Sequence, residues 1–202
     1  MKENDTYKTI TKPSEEVIFK DRGSKFLGYA FPLQSEDEVK QIVENLKNQH
    51  HKARHWCYAW RIGIEHVQYR TNDDGEPNNS AGLPIYGQIL SNRVTNVLVV
   101  IVRYFGGTKL GVGGLVNAYK TTAQLALESA RITTKTINTH FKLLFEYPQM
   151  NTVIRIVKDT NATIVKQKME LKCEFVIAIR KSEAEKLQSA LSESRFISWK
   201  VI

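Results

Sequence analysis

Val97-Leu98-Val99-Val100-Ile101-Val102-Arg103-Tyr104-Phe105-Gly106-Gly107-Thr108-Lys109-Leu110-Gly111-Val112-Gly113-Gly114 sets the architecture of this 202-residue chain. Its first six residues are all β-branched or Leu, which predicts a strand buried on both faces at the centre of a sheet. Five glycines among residues 106–114 end that run. Beyond them Leu115, Ala118, Tyr119, Thr122, Leu125 and Ala126 share one broad stripe, predicting a long helix over 112–130. Strand, glycine loop and helix form the centre of a first domain.

Outward from this centre, strand and helix patterns alternate. Residues 17–19 and 25–33 read as strands around the turn Asp21-Arg22-Gly23-Ser24. Ser35 with Glu38 fits a capping box, followed by Val39, Ile42, Val43 and Leu46 at helical spacing. Residues 55–64 read as an aromatic-rich strand with 67–70 as its hairpin partner, 71–80 as a polar stretch, and 81–91 as a short helix. The pattern restarts after Arg131. Strands over 137–145, 163–169, 171–179 and 196–201 enclose helices marked by Met150, Val153, Ile154 and Val157 and by Leu187 and Leu191, the latter with a second capping box at Ser182 and Glu185. The order β-α-β-β-α-β matches the ferredoxin-like motif. The expected fold class is α+β, with one domain over 1–133 and a second over 137–202.

Composition narrows the class of function. With 29 Lys+Arg against 21 Asp+Glu the formal charge is +8, and 42% hydrophobic with 25% charged residues is a globular balance. Residues 1–135 and 136–202 each carry +4, so the C-terminal part is about twice as basic per residue. That balance favours polyanionic partners such as RNA. No apolar run approaches the ~20 residues needed to span a bilayer, and residues 1–11 lack the apolar core of a secretory signal. Cys57 and Cys173 lie too far apart to form a disulfide framework or a paired zinc site. A reduced, cytoplasmic protein is expected.

Three constellations can carry chemistry. In the glycine loop, Gly106, Gly107, Gly111, Gly113 and Gly114 let backbone N–H groups approach an anion, and the following helix presents its positive end. Arg103 and Lys109 can supply charge there. The spacing is neither that of a P-loop nor Gly-x-Gly-x-x-Gly, and a tight turn that packs the helix on the sheet explains the same residues. The acidic stretch 72–80 holds Asp73, Asp74 and Glu76, which can bind Mg²⁺ or serve as acid and base; Asp-Gly and Glu-Pro are equally turn chemistry. On a strand over 55–59, His55 and Cys57 share a face. They can act as metal ligands, as a catalytic pair, or as a buried Cys beside a hydrogen-bonded His. Tyr104, next to the glycine loop, is placed to stack on a base.

Taken together, Arg22-Gly23-Ser24-Lys25-Phe26, His55-x-Cys57-Tyr58-Ala59, Asp73-Asp74-Gly75-Glu76-Pro77, Ala81-Gly82-x-Pro84 and the run from Arg103 to Leu115 resemble the IMPACT (YigZ-like) family. The resemblance implies its bacterial two-domain type, without the accessory domain that precedes the eukaryotic IMPACT region. It implies a ribosomal-protein-S5-domain-2-like α/β domain followed by a ferredoxin-like domain similar to domains of translation elongation factor G. Eukaryotic members regulate translation by competing for a protein that activates a kinase of an initiation factor. That partner role does not carry over, and no catalytic activity comes with the bacterial branch.

The function expected is therefore a non-enzymatic translation-associated regulator that binds RNA or the ribosome, with a protein partner as a further option and no membrane. Arg103, Lys109 and the 106–114 backbone hold phosphate in this reading, and Arg22, Lys25, Arg54 and Tyr104 extend the surface. No cofactor is required. The alternative is a small hydrolase or phosphotransfer enzyme acting on a nucleotide or phosphorylated metabolite, with His55, Cys57, Asp73, Asp74 and Glu76 as its chemistry and Mg²⁺ as its metal.

Overall fold

The apolar run becomes β6 (Val97–Tyr104), the middle strand of a five-stranded sheet, in a computed structural model that describes residues 5–202. Its neighbours are β2 (Val17–Asp21), β3 (Ser24–Pro32), β4 (His55–Ile62) and β5 (Gln68–Asn72), in the order β2-β3-β6-β4-β5 with every pairing antiparallel. Seven of the eight β6 residues are buried because helices cover both faces. Val97, Val99 and Ile101 pack with Phe26, Cys57 and Ala59 against α2 (Gly82–Ser91) and α3 (Gly111–Ser129). Leu98, Val100 and Val102 pack with Trp60 against Val39, Val43 and Leu46 of α1 (Asp37–Gln49). A doubly covered strand has no polar face to alternate with, hence its unbroken apolar run.

The turn from β2 to β3 has both central residues at positive φ, Arg22 at 43° and Gly23 at 79°, the twist that suits a tight hairpin. The capping box expected at α1 forms only in half. Glu38 Oε1 accepts from the Ser35 N–H at 3.0 Å, but the N-cap is Glu36 in helical geometry, so the Ser35 hydroxyl does not reach the first turn.

Two strands fell outside the sequence reading. β1 (Thr6–Ile10) and β7 (Ile132–Thr136) pair as a separate two-stranded sheet. Both are short and threonine-rich, and their partners lie more than a hundred residues apart, so no local signal marks the pairing.

Contacts divide the chain into two compact units, Tyr7–Thr134 and Lys135–Ile202, with Asp5 and Thr6 joining the second. That second unit runs β8 (Asn138–Glu146), α4 (Met150–Asp159), β9 (Thr163–Lys168), β10 (Lys172–Arg180), α5 (Ala184–Ser192) and β11 (Ser198–Val201). Its antiparallel sheet has the order β11-β8-β10-β9. Phe141, Leu143, Phe145, Cys173, Phe175 and Ile177 form one buried face against Val153, Val157, Leu187 and Leu191 of the two helices. Cys173 is therefore core. The opposite face stays open: the register sets Lys200, Lys142, Val176 and Lys166 in one row and Ser198, Leu144, Glu174 and Lys168 in the next. Among the described residues no helix is long and apolar enough to cross a membrane.

The capping box at Ser182 does not form. A 3-10 turn over Lys181–Glu183 precedes α5, and the Ser182 hydroxyl donates instead to Asp5 Oδ2 at 2.6 Å. Arg180 grips the same carboxylate through Nε at 2.5 Å and Nη2 at 3.0 Å. The Arg180 hydrogen bond, aided by Ser182, holds the Asp5 carboxyl down at about 2 from its ordinary 3.8. A carboxyl depressed in the folded state stabilises fully above its unfolded value and stops doing so as pH falls through its folded value. Thermal melts followed by circular dichroism should therefore show Asp5→Asn lowering the wild-type Tm at pH 6. The two proteins should converge between pH 4 and pH 2.

Candidate functional site

The acidic stretch is first of all a turn. Asp74 at φ 43° and Gly75 at φ 84° reverse the chain after β5. Ala81 stands at the N-cap of α2 and has no side-chain oxygen to offer, so Asp73 does that work: its Oδ1 accepts from the N–H groups of Ala81 at 3.0 Å and Gly82 at 2.8 Å. Its Oδ2 accepts from Asn79 at 2.8 Å. Asp74 Oδ2 accepts from the Trp56 N–H at 2.7 Å and so fastens the turn to β4. Asp73 and Asp74 thus both accept from backbone donors of the turn and its neighbours. Among the described residues no three His, Cys, Asp or Glu converge to hold a metal ion.

Glu76 goes the other way, into the protein. It is buried, and its Oε1 lies 2.6 Å from Arg103 Nη1 and accepts from the Tyr119 hydroxyl at 2.8 Å. Both charged side chains are almost fully buried, at 4% and 6% exposed. The Arg103 guanidinium also lies 5.4 Å from the Phe26 ring and 5.6 Å from that of Phe105. Arg103 is thus an internal counter-ion on β6. Its Nη1 is taken up by Glu76, while its Nε is buried without a partner.

His55 and Cys57 do share a strand face, the one that meets α2 and α3. The Asp74 carbonyl can only accept, so His55 Nδ1, 2.8 Å away, carries the proton, and Nε2 is left 4.0 Å from Glu76 Oε1. The Cys57 thiol lies 3.0 Å from the Asp73 carbonyl and 3.3 Å from the Tyr119 oxygen. Burial pushes its pKa well up, with the Tyr119 hydrogen bond opposing only in part. That shift works against the thiolate, the form a nucleophile needs. Burial likewise raises Tyr119. Tyr119 is the member that sequence reasoning left in the helix stripe; the signal was a phenol among Ala, Thr and Leu, because a buried hydroxyl needs a partner.

The glycine loop is where exposed charge collects. Gly106 sits directly on the Gly23 backbone, where a Cβ would collide with the Gly23 carbonyl, and its N–H donates to Ser24 Oγ at 3.2 Å. This contact joins the Arg22 turn to the loop. The register sets Lys25 beside Tyr104, and the Arg54 N–H donates to the Arg103 carbonyl at 3.0 Å. Arg22, Lys25, Arg54 and Lys109 are all exposed. The first turn of α3 has no acidic residue and its N-cap, Leu110, makes no side-chain bond. A Cβ at Gly107, Gly111 or Gly113 would meet nothing within 4 Å, so close packing accounts for Gly106 but not for those three. Tyr104 turns away from this end: its hydroxyl lies 3.0 Å from His50 Nδ1, on the α1 side of the sheet.

Residues 22–127 match the family model described as the Impact N-terminal domain. The chain is 30% identical over 185 residues to an IMPACT family member of Haemophilus influenzae, covering 90% of each. It is 32% identical to the IMPACT family member YigZ of Escherichia coli over 74% of each. A crystal structure of a hypothetical protein, 27% identical, aligns over 98% of this chain and 97% of its own with a TM-score of 0.72.

Removing one member of a buried ion pair leaves the other charge stranded. Glu76→Ala is expected to lower the unfolding free energy by about 3–5 kcal/mol, with most of it recovered in Glu76→Met/Arg103→Met. Urea unfolding measures both. A loss below about 1 kcal/mol would put this pair in the class of exposed ones.

Proposed function

The chain belongs to the IMPACT family, and from that premise we propose that it is a translation regulator that binds RNA or the ribosome rather than turning over a substrate. The observation that carries this reading is the exposed basic end of the five-stranded sheet. Arg22, Lys25, Arg54 and Lys109 are exposed there around the 106–114 backbone. The uncapped start of the 19-residue α3 offers N–H groups and a positive dipole end with no acid of its own to answer them. Gly113, with neither a positive φ nor a crowding neighbour, keeps that backbone open to a phosphate.

The open sheet face of the second unit supports the same reading. Lys142 and Lys200 stand directly opposite each other, a like-charge pairing that weakens a sheet unless an anion lies across it. Only Glu174 answers in those two rows, 2.7 Å from Lys142. We read the first unit as ribosomal-protein-S5-domain-2-like. The second, with the strand order β11-β8-β10-β9 and two helices on one face, we read as ferredoxin-like. Both kinds of unit suit action on the translation apparatus in the cytoplasm.

The candidate catalytic residues have structural partners: Asp73 and Asp74 serve the turn, Glu76 serves Arg103, and burial works against a Cys57 thiolate. Binding to purified ribosomal RNA should weaken as salt rises, without any need for a divalent ion. The quadruple variant Arg22→Ala/Lys25→Ala/Arg54→Ala/Lys109→Ala should lose about tenfold or more at 50 mM salt and show a shallower salt slope. Filter binding across a salt series reads this out. Wild-type protein that fails to bind at low salt would overturn the proposal.

A further inference from the structure

Two aromatic rings of the first unit are exposed among the described residues, Tyr69 and Phe105. Tyr69 is already stacked on Tyr86, their ring centres 4.4 Å apart. Trp56, Tyr58 and Trp60 line a cleft of about 480 Å³ beside α1, on the α1 face of the sheet, and Tyr104 points to that side as well. Phe105 is the ring left beside the glycine loop.

Phe105 follows Arg103 at the two-residue spacing that keeps strand side chains on one face, and it is 49% exposed. The Arg103 guanidinium stands over its ring, 5.6 Å from the centre. That guanidinium lies 5.4 Å from the Phe26 ring and is tied to Glu76 at 2.6 Å, so it is held in place. One side of the Phe105 ring thus rests on a fixed cation while the rest of it meets water. Such support lowers the cost of ordering the ring on a ligand. Gly106 and Gly107 come next in the chain, and a Cβ at Gly107 would meet nothing within 4 Å, which leaves room for a flat group beside the ring. Gly106 rests on Gly23, so the exposed Arg22 comes to the same loop, and the exposed Lys109 lies four residues beyond Phe105. Phosphates need the cations, and a base needs the ring.

We propose that Phe105 is the base-stacking platform of the glycine loop, so that this site takes an unpaired nucleotide rather than a paired one. The base lies flat on the open face of the ring, while its phosphates meet Arg22, Lys109 and the loop backbone. A base inside a duplex has both faces covered by its neighbours and cannot enter this arrangement. Every base has a π-face, so the site is tolerant of sequence. The inference rests on the RNA-binding reading above and narrows its ligand to single-stranded RNA. A protein partner that used Phe105 as a plain apolar anchor would accept Leu in its place.

The test uses the full chain and fluorescence anisotropy with three labelled probes at low salt. These are an oligouridylate of about 12 nucleotides, an abasic ribose-phosphate strand of the same length, and an RNA duplex of the same length. Wild type should bind the oligouridylate about tenfold tighter than the abasic strand, the worth of one stacked base. Phe105→Ala and Phe105→Leu should each remove that advantage, and Phe105→Trp should keep it. All three should leave duplex binding and the salt slope unchanged, because the phosphate contacts remain. Phe105 is half exposed, so these variants spare the core, which circular dichroism verifies. Equal wild-type binding of oligouridylate and abasic strand, or Phe105→Leu that binds like wild type, would overturn the proposal and leave RNA binding standing. Equal loss on single strand and duplex in Phe105→Ala would overturn it too. Wild type that binds none of the three probes would overturn the RNA reading itself, and the stacking with it.

Discussion

The buried pair between Arg103 and Glu76 is the contact on which the first unit is organised. It joins the end of the central strand to the turn after β5, and Tyr119 brings α3 to the same carboxylate oxygen. A charge taken so far from water must be answered where it lies, which fixes the path of the 72–80 segment. Asp73 and Asp74 then complete the job with backbone bonds, one to the start of α2 and the other to β4. The acidic stretch is thus a clasp whose three carboxylates face three different elements.

This arrangement divides the charge of the molecule. Arg103 is neutralised inside, while the cations around it in the fold, Arg22, Lys25, Arg54 and Lys109, stay exposed beside glycine backbone. The open sheet of the second unit repeats the theme with lysines in adjacent rows. Against both stands the aromatic cleft beside α1, where carboxylates outnumber cations.

Much of the fold is legible in local pattern. The apolar run of β6 announces double burial, the alternation in β10 announces a one-sided sheet, and the Arg22-Gly23 turn announces a hairpin. The failures are equally physical. β1 and β7 find each other across the length of the chain, and Thr-rich strands carry no apolar signature. Both capping boxes were sound motifs that lost to neighbours: the helix began one residue late at Ser35, and Asp5 took the hydroxyl of Ser182.

The site was legible in its parts and not in its connections. Residue type alone marked Glu76, Arg103, His55, Cys57 and the glycine loop, because carboxylates, guanidinium groups, thiols and glycines each have limited uses. Whether Arg103 would meet a ligand or Glu76 depended on a partner 27 residues away in sequence, reached only when β6 and the turn are packed together. Likewise the raised pKa of Cys57 comes from its burial, and the cleft over Trp56 and Trp60 from the placement of α1. Sequence determined the elements and the chemistry each one carries. Tertiary structure decided which charges cancel inside and which remain at the surface, since burial and distance are properties of the packed chain.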